Sequence, residues 1–128
     1  MPAWSEYKKM AAERGSLAHE LYVVVSTPTG SEEAVKNNLG DHLAYQAEQE
    51  TAGNLAFAGP LSDETGELMN GTGMIIYRAD SLEAARAIAE ADPMHAAGAR
   101  SFTIRRWLIN EGSLSIEVKL SQQRVRLG

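Results

Sequence analysis

ELYVVVSTPTGSEEAVKNNLGDHLAYQAEQET, residues 20–51, carries the change of hydrophobic period on which the fold turns. Its first part, Glu20–Pro28, is a β-branched run ended by Pro28 and Gly30, the pattern of a strand buried on both faces or nearly so. Ser31 then offers an N-cap oxygen, and Glu32 and Glu33 fill the first turn, where the helix dipole favours negative charge. Val35, Leu39, Leu43 and Ala47 recur every fourth residue, which predicts a helix over 31–51. Gly40 inside it costs about 1 kcal/mol relative to alanine, so it argues either for a break or for close backbone packing. Gly53 and Asn54 supply the stop.

Outward from this unit, Asn54–Leu61 (NLAFAGPL) reads as a short strand that leaves its sheet at Pro60, because proline has no amide hydrogen for the ladder. The turn-rich Ser62–Gly73 leads to a third strand, Met74–Ala79, so the two strands form a long-looped hairpin. Ser81 caps a second helix with the apolar stripe Leu82, Ala85, Ile88 and Ala89, and Pro93 ends it at about Asp92. Arg100–Ile109 is a fourth strand, with Phe102, Ile104 and Leu108 on one face. A fifth strand alternates Leu114, Ile116, Val118 and Leu120 with polar residues, and the tail QQRVRLG is expected to fray. Residues 2–15 read as an accessory helix closed by Gly15.

The order is a helix, then β-α-β-β-α-β, then one extra strand. This is an α+β chain, and split βαβ units of this order make a four-stranded antiparallel sheet with both helices on one face. A single domain over 1–128 is expected, with its core at about 20–110 and a C-terminal strand and tail at 113–128. Apolar residues on both sides of the first and third strands imply that the helix-free face is covered too, most simply by a second copy, giving a two-fold homodimer. The fifth strand could also augment a neighbouring subunit's sheet and build higher oligomers.

With 128 residues and no cysteine, the chain excludes disulfide scaffolds, thiolate metal sites and cysteine nucleophiles. Twelve basic against seventeen acidic residues give a net charge of −5, which disfavours nucleic acid as a partner. Arg100, Arg105, Arg106, Arg124 and Arg126 concentrate positive charge locally and read as solvated strand and tail residues. No apolar run is long enough to span a membrane, and Met1–Arg14 lacks the pattern of a secretory signal, so the cytoplasm is the expected location.

No phosphate loop, HExxH, GxSxG or EF-hand loop is present, so candidate chemistry rests on the histidines. His19 reads as an exposed linker residue. At 100° per residue, His42 lies about 20° from Val35 and about 60° from Leu39, on the border of the apolar face. Two readings are open there: a hydrogen-bonded core histidine, or a base whose pKa is set by burial and a carboxylate neighbour.

Asp92, at a helix C-terminus, opposes the helix dipole at a cost of about 0.3–1 kcal/mol, which suggests a reason for it beyond local turn formation. The two helices share a sheet face, so His42 and Asp92 can meet as a base and its orienting carboxylate. His95 either completes that cluster or caps the turn. No ligand spacing supports a metal site, and none is expected. Arg106 would pair with an anionic substrate if its side chain faces the pocket.

Taken together, DHL (Asp41–Leu43), LAFAGPL (Leu55–Leu61), GTGMIIYRADSLEAA (Gly71–Ala85) and DPMHAAGARSFTIRRW (Asp92–Trp107) resemble the YCII-related (YciI-like) family over about residues 20–110. The resemblance implies a ferredoxin-like fold of the dimeric α+β barrel kind, a His–Asp site at His42 and Asp92, and a pocket near Gly59, Pro60 and the turn from Pro93 to Gly98. It also implies cofactor-free chemistry on a small organic molecule, the described type being dehydrochlorination of a hydroxylated chloroaromatic. Two positions depart from the family pattern: Met94 stands where many members carry an aromatic residue, and Arg106-Trp107-Leu108 replaces a basic–Pro–aromatic ending. The expected function is that of a lyase, isomerase or hydrolase working by general acid/base chemistry on an aromatic or carbonyl compound. The alternative is a noncatalytic dimeric module that binds a small ligand or a partner.

Overall fold

The computed structural model describes all residues from Met1 to Gly128. It contains α1 (Trp4–Glu13), β1 (His19–Pro28), α2 (Glu32–Thr51), β2 (Leu55–Pro60), β3 (Gly73–Tyr77), α3 (Leu82–Ala91), α4 (Pro93–Ala96), β4 (Arg100–Ile109), β5 (Ile116–Lys119) and β6 (Arg124–Leu127). The chain divides into two compact units, Glu20–Trp107 and Met1–His19 with Leu108–Gly128.

The larger unit is built on a four-stranded sheet of order β2-β3-β1-β4. β3 runs antiparallel to both neighbours, with Tyr22 opposite Tyr77 and Val24 opposite Ile75 on one side, and Gly59 opposite Met74 on the other. β1 and β2 are therefore parallel with β3 between them, the split βαβ arrangement of a ferredoxin-like fold. Pro60 closes β2 on the sheet edge, where a missing amide hydrogen costs no ladder bond.

Register determines which side chains share a face. Val24, Ile75, Tyr77 and Ala89 form the buried cluster, with Leu55, Ile88, Phe102 and Ile104 packed against it. Ala85 and Ala89 are fully buried, so α3 approaches the sheet on its smallest side chains. Ser81 Oγ accepts from the Ala84 amide and Ser31 Oγ from that of Ala34, the caps expected for α3 and α2.

α2 runs unbroken through Gly40, and an added Cβ there would meet nothing within 4 Å, so neither the break nor the close packing expected at this glycine occurs. No residue of α2 is buried; Leu39 and Leu43 are 46% and 57% exposed. The apolar repeat of α2 thus does not press onto the sheet. Val35, Leu39 and Leu43 line an open cavity, and hydrogen bonds from His42, Tyr45 and Gln46 tie the helix to the rest of the unit.

In the smaller unit, the amide of Leu17 donates to the carbonyl of Asn110 at 3.1 Å. The tail expected to fray forms β6, antiparallel to β5, with Val118 opposite Val125 and Glu117 opposite Arg126. The alternation Arg124-Val125-Arg126-Leu127 mirrors that of β5, which makes the pairing possible. One edge of β5 is therefore already occupied by its own chain.

Candidate functional site

Asp92 is the centre of the polar cluster, and its place follows from local sequence. Pro93 both ends α3 and opens α4, since a proline at the first helical position has no amide hydrogen to satisfy. Asp92 is thereby the N-cap of α4, and its Oδ1 accepts from the Met94 amide at 3.0 Å. The unfavourable position expected from α3 alone is offset by this cap.

Asp92 is 0% exposed, so an ionised carboxylate there needs several donors. His42 Nδ1 lies 2.8 Å from both carboxylate oxygens, and Gln46 Nε2 donates to Oδ2 at 3.1 Å. Burial pushes the Asp92 carboxyl up, but the bonds from His42, Met94 and Gln46 outweigh it and hold the group below its ordinary value. An ionised Asp92 can only accept, so Nδ1 of His42 carries the hydrogen and Nε2 is left with a lone pair in the neutral ring. The structure gives Nε2 no protein partner, and the His42 side chain is 22% exposed.

A second layer supports the pair. Gln46 Nε2 also donates to the Tyr77 hydroxyl at 3.2 Å, and Tyr45 donates to the Ile88 carbonyl at 2.7 Å. Tyr77 is fully buried, and burial pushes its hydroxyl well above the ordinary tyrosine range, so it stays neutral. Gln46 Oε1 is buried without a partner. Flipping the amide would turn that oxygen towards the Asp92 carboxylate, so the observed orientation is the favourable one.

His42 opens onto a cavity of about 530 Å³, within the roughly 300–1,000 Å³ typical of small-molecule clefts. Val35, Leu39, Leu43, Ala58, Met69 and Met94 give it an apolar wall, and Ser26, Gln46 and Arg100 supply polar groups. Another cavity, of about 340 Å³ beside Asn54 and Arg78, contains neither member of the His–Asp pair. No three His, Cys, Asp or Glu side chains converge in a group able to hold a metal ion.

Of the residues proposed from sequence, His42, Gly59 and Pro60 line the cavity, and Asp92 lies directly behind His42. Pro93, His95 and Arg106 do not line it. Pro93 serves α4, and His95 binds the Ala89 carbonyl through Nδ1 and Ser26 Oγ through Nε2, both at 2.7 Å. The Arg106 side chain acts on the hydroxyl of Tyr22. The arginine on the cavity wall is Arg100, which, far from being solvated, is held by three hydrogen bonds.

Gln46 and Arg100 were missed from sequence, although each left a partial signal. Gln46 follows His42 by four residues on one helix face, and the period of β4 places Arg100 with Phe102 and Ile104 on the core side.

Residues 21–108 match the YCII-related domain. The chain belongs to the YCII-related family. Among its relatives, the uncharacterised protein YjpA of Bacillus subtilis is 29% identical over 91 residues, covering 71% of this chain and 100% of that protein. Among solved structures, the chain is similar to the 5-chloro-2-hydroxyhydroquinone dehydrochlorinase TftG of Burkholderia phenoliruptrix AC1100, in complex with 2,5-dihydroxybenzoquinone. That similarity has a TM-score of 0.55 at 24% identity and covers 68% of this chain and 92% of that one, which establishes the shared fold. The YCII-related region coincides with the sheet, α2, α3 and α4, and therefore contains the whole His42–Asp92 cluster. No helix of this family member is long and apolar enough to cross a membrane.

Proposed function

We propose that the cavity binds a small organic molecule and that His42, oriented by Asp92, transfers a proton at it in a lyase, isomerase or hydrolase reaction. The observation that carries this reading is the Nδ1 contact to both Asp92 oxygens at 2.8 Å. It holds one ring tautomer, stabilises the imidazolium formed when Nε2 accepts a proton, and leaves Nε2 unencumbered. A fully buried carboxylate with four accepted contacts is a costly device for holding a surface ring, whereas it suits a ring that changes charge.

The chemistry of TftG adds a direction. It is a dehydrochlorinase bound to a hydroxylated quinone, so a proton-transfer lyase reaction on a hydroxylated ring is the first type to test here. On a chlorinated hydroxyarene Nε2 takes one hydroxyl proton and returns it to the chlorine-bearing ring carbon, giving the keto tautomer. A second hydroxyl then loses its proton, its electron pair forms the other C=O, the ring double bond shifts to the chlorine-bearing carbon, and chloride departs with the C–Cl bonding pair, leaving a quinone. A general base contributes about 10²–10⁴ in rate, which suffices for an activated substrate of this kind.

We also propose that the helix-free face of the sheet pairs with a second copy. Phe57 lies opposite Ile76 on that face and is 56% exposed, and Trp107, which alternates with the core-facing Phe102 and Ile104, is 43% exposed.

The test assays chloride release from 5-chloro-2-hydroxyhydroquinone and related chlorinated hydroxyarenes with the parent chain and His42→Ala, together with thermal unfolding. The expected result is turnover that falls about 10²-fold or more in the variant, measured at a temperature where unfolding shows both proteins folded, beyond any stability lost with the His42 bond to Asp92. Equal turnover in both proteins refutes the role of His42. A variant that loses stability alone, with no turnover by the parent, favours a ligand-binding module.

A further inference from the structure

Arg100 is a cation set into the wall of the cavity, and no carboxylate lies within ion-pair distance of it. Its Nε donates to Ser26 Oγ at 2.8 Å, and its Nη2 donates to the Ser26 carbonyl at 2.7 Å and to the Gly71 carbonyl. A guanidinium carries five N–H groups, and these bonds leave both hydrogens of Nη1 unused. Asp92 is the carboxylate whose charge reaches Arg100, but its oxygens are already engaged by His42, Gln46 and Met94. Burial, accordingly, lowers the pKa of Arg100. A half-buried charge without a counter-ion is unfavourable, and an anion entering the cavity relieves it.

The guanidinium is also held in one plane by a directed chain of donors. The Ala89 carbonyl can only accept, so Nδ1 of His95 carries its hydrogen and Nε2 of the neutral ring is an acceptor. Ser26 therefore donates its hydroxyl hydrogen to His95 Nε2 and accepts from Arg100 Nε on its oxygen. The chain runs from Arg100 through Ser26 and His95 to Ala89 at the end of α3, and the ring of His95 packs 4.6 Å from that of Phe102. This is support for a fixed fork; a solvated arginine needs none of it.

We infer that Arg100 anchors the ligand: the cavity takes a small organic anion whose ionised oxygen pairs with Nη1 while its apolar body lies against Val35, Leu39, Leu43 and Met69. Ser26 and His95 are positioning residues for that anchor. The inference rests on the small-molecule reading of this cavity, but it does not require catalysis. A carboxylate and an ionised phenol satisfy the same chemistry, and the test separates them.

Binding is measured by calorimetry for benzoate, its neutral isostere benzamide, and 2,4-dinitrophenolate, with the parent chain, Arg100→Lys, Arg100→Met and His42→Ala. The Nε resonance of Arg100 is followed by NMR as each probe is added. The expected result is that at least one anion binds roughly tenfold to a hundredfold more tightly than benzamide, as a charge-assisted hydrogen bond predicts, and shifts the Arg100 resonance. Which anion binds more tightly identifies the oxygen the anchor takes. Arg100→Met removes the preference, Arg100→Lys keeps part of it, and His42→Ala retains it.

If Arg100→Met does not fold, the parent comparison and the NMR shift still decide the matter. Equal affinity for benzamide and both anions, an unmoved Arg100 resonance, or a preference that survives in folded Arg100→Met overturns the inference. Turnover that is absent from the parent, or unchanged in His42→Ala, with retained anion preference would sink only the proton-transfer reading.

Discussion

Replacing Asp92 by asparagine separates what the carboxylate does for stability from what it does for His42. The substitution is nearly isosteric, and asparagine caps a helix as well as aspartate, so the bond from the Met94 amide survives. The contact with Gln46 does not. If the new carbonyl oxygen replaces Oδ1, facing Met94 and His42, the new NH2 group points at Gln46 Nε2, donor against donor, across the present 3.1 Å contact. One buried hydrogen bond is lost and two donors are left unsatisfied, which costs about 1–3 kcal/mol. The imidazolium of His42 also loses its charge partner, and a general base deprived of its orienting carboxylate loses up to about 10⁴ in kcat.

Thermal unfolding and turnover, measured together, test both parts. The pH dependence supplies a further check. The Asp92 pKa is lowered in the folded state, so the unfolded chain binds more protons in acid, and stability rises with pH across that window. The contribution is complete above the unfolded value of about 3.9 and is lost as pH falls through the lower folded value. The gap in melting temperature between parent and variant must therefore narrow in that acid range. Unchanged turnover with a lower melting temperature would show that Asp92 only holds α2 in place, and a gap that widens in acid would refute the ionised, hydrogen-bonded carboxylate.

Three further substitutions probe the frame of the site. Gly40→Ala should stabilise the chain by about 0.5–1 kcal/mol, read as a rise of a few degrees in melting temperature, because the new methyl meets no atom within 4 Å in a continuous helix. Gly71→Ala should destabilise by about 1–2 kcal/mol from backbone conformation alone, since Gly71 has φ +92, and more because the new Cβ would lie 2.8 Å from Pro28 Cγ; chemical denaturation measures it. Phe57→Lys should shift the solution mass measured by sedimentation towards the monomer while leaving the His42–Asp92 cluster intact, and an unchanged mass would remove the helix-free face as the pairing surface.

The order of strands and helices was legible because each period lasts long enough to read: β1 is ten residues of mostly apolar side chains, and α2 repeats Val35, Leu39, Leu43 and Ala47. The meeting of His42 and Asp92 was likewise accessible, since the topology lays α2 and α3 over one sheet face. Shorter features escaped. Pro93 reads as a stop, yet the same missing amide hydrogen that ends α3 suits the first position of α4. β6 has four residues and follows a polar turn, too little alternation to distinguish from a loose tail. Arg106 and Arg100 fall on the same side of β4, so alternation alone could not say which end of the strand meets the cavity.

The least anticipated property is how α2 is held, and it bears on how the site works. A helix with this apolar repeat ordinarily docks by burying its stripe, but α2 buries none of its residues. Its contacts to the rest of the unit include His42 and Gln46 on Asp92, Gln46 on Tyr77, and Tyr45 on the Ile88 carbonyl. The groups proposed to bind and transform the ligand are thus among those that position the helix, while Leu39 and Leu43 remain uncovered on the cavity wall. An apolar ligand body would cover those side chains and supply the burial that the helix lacks without it. Occupancy of the cavity and docking of α2 are then linked: whatever binds only the docked helix stabilises it by mass action. On that reading an apolar stripe can be left open here, because a bound ligand body would provide the contacts it lacks.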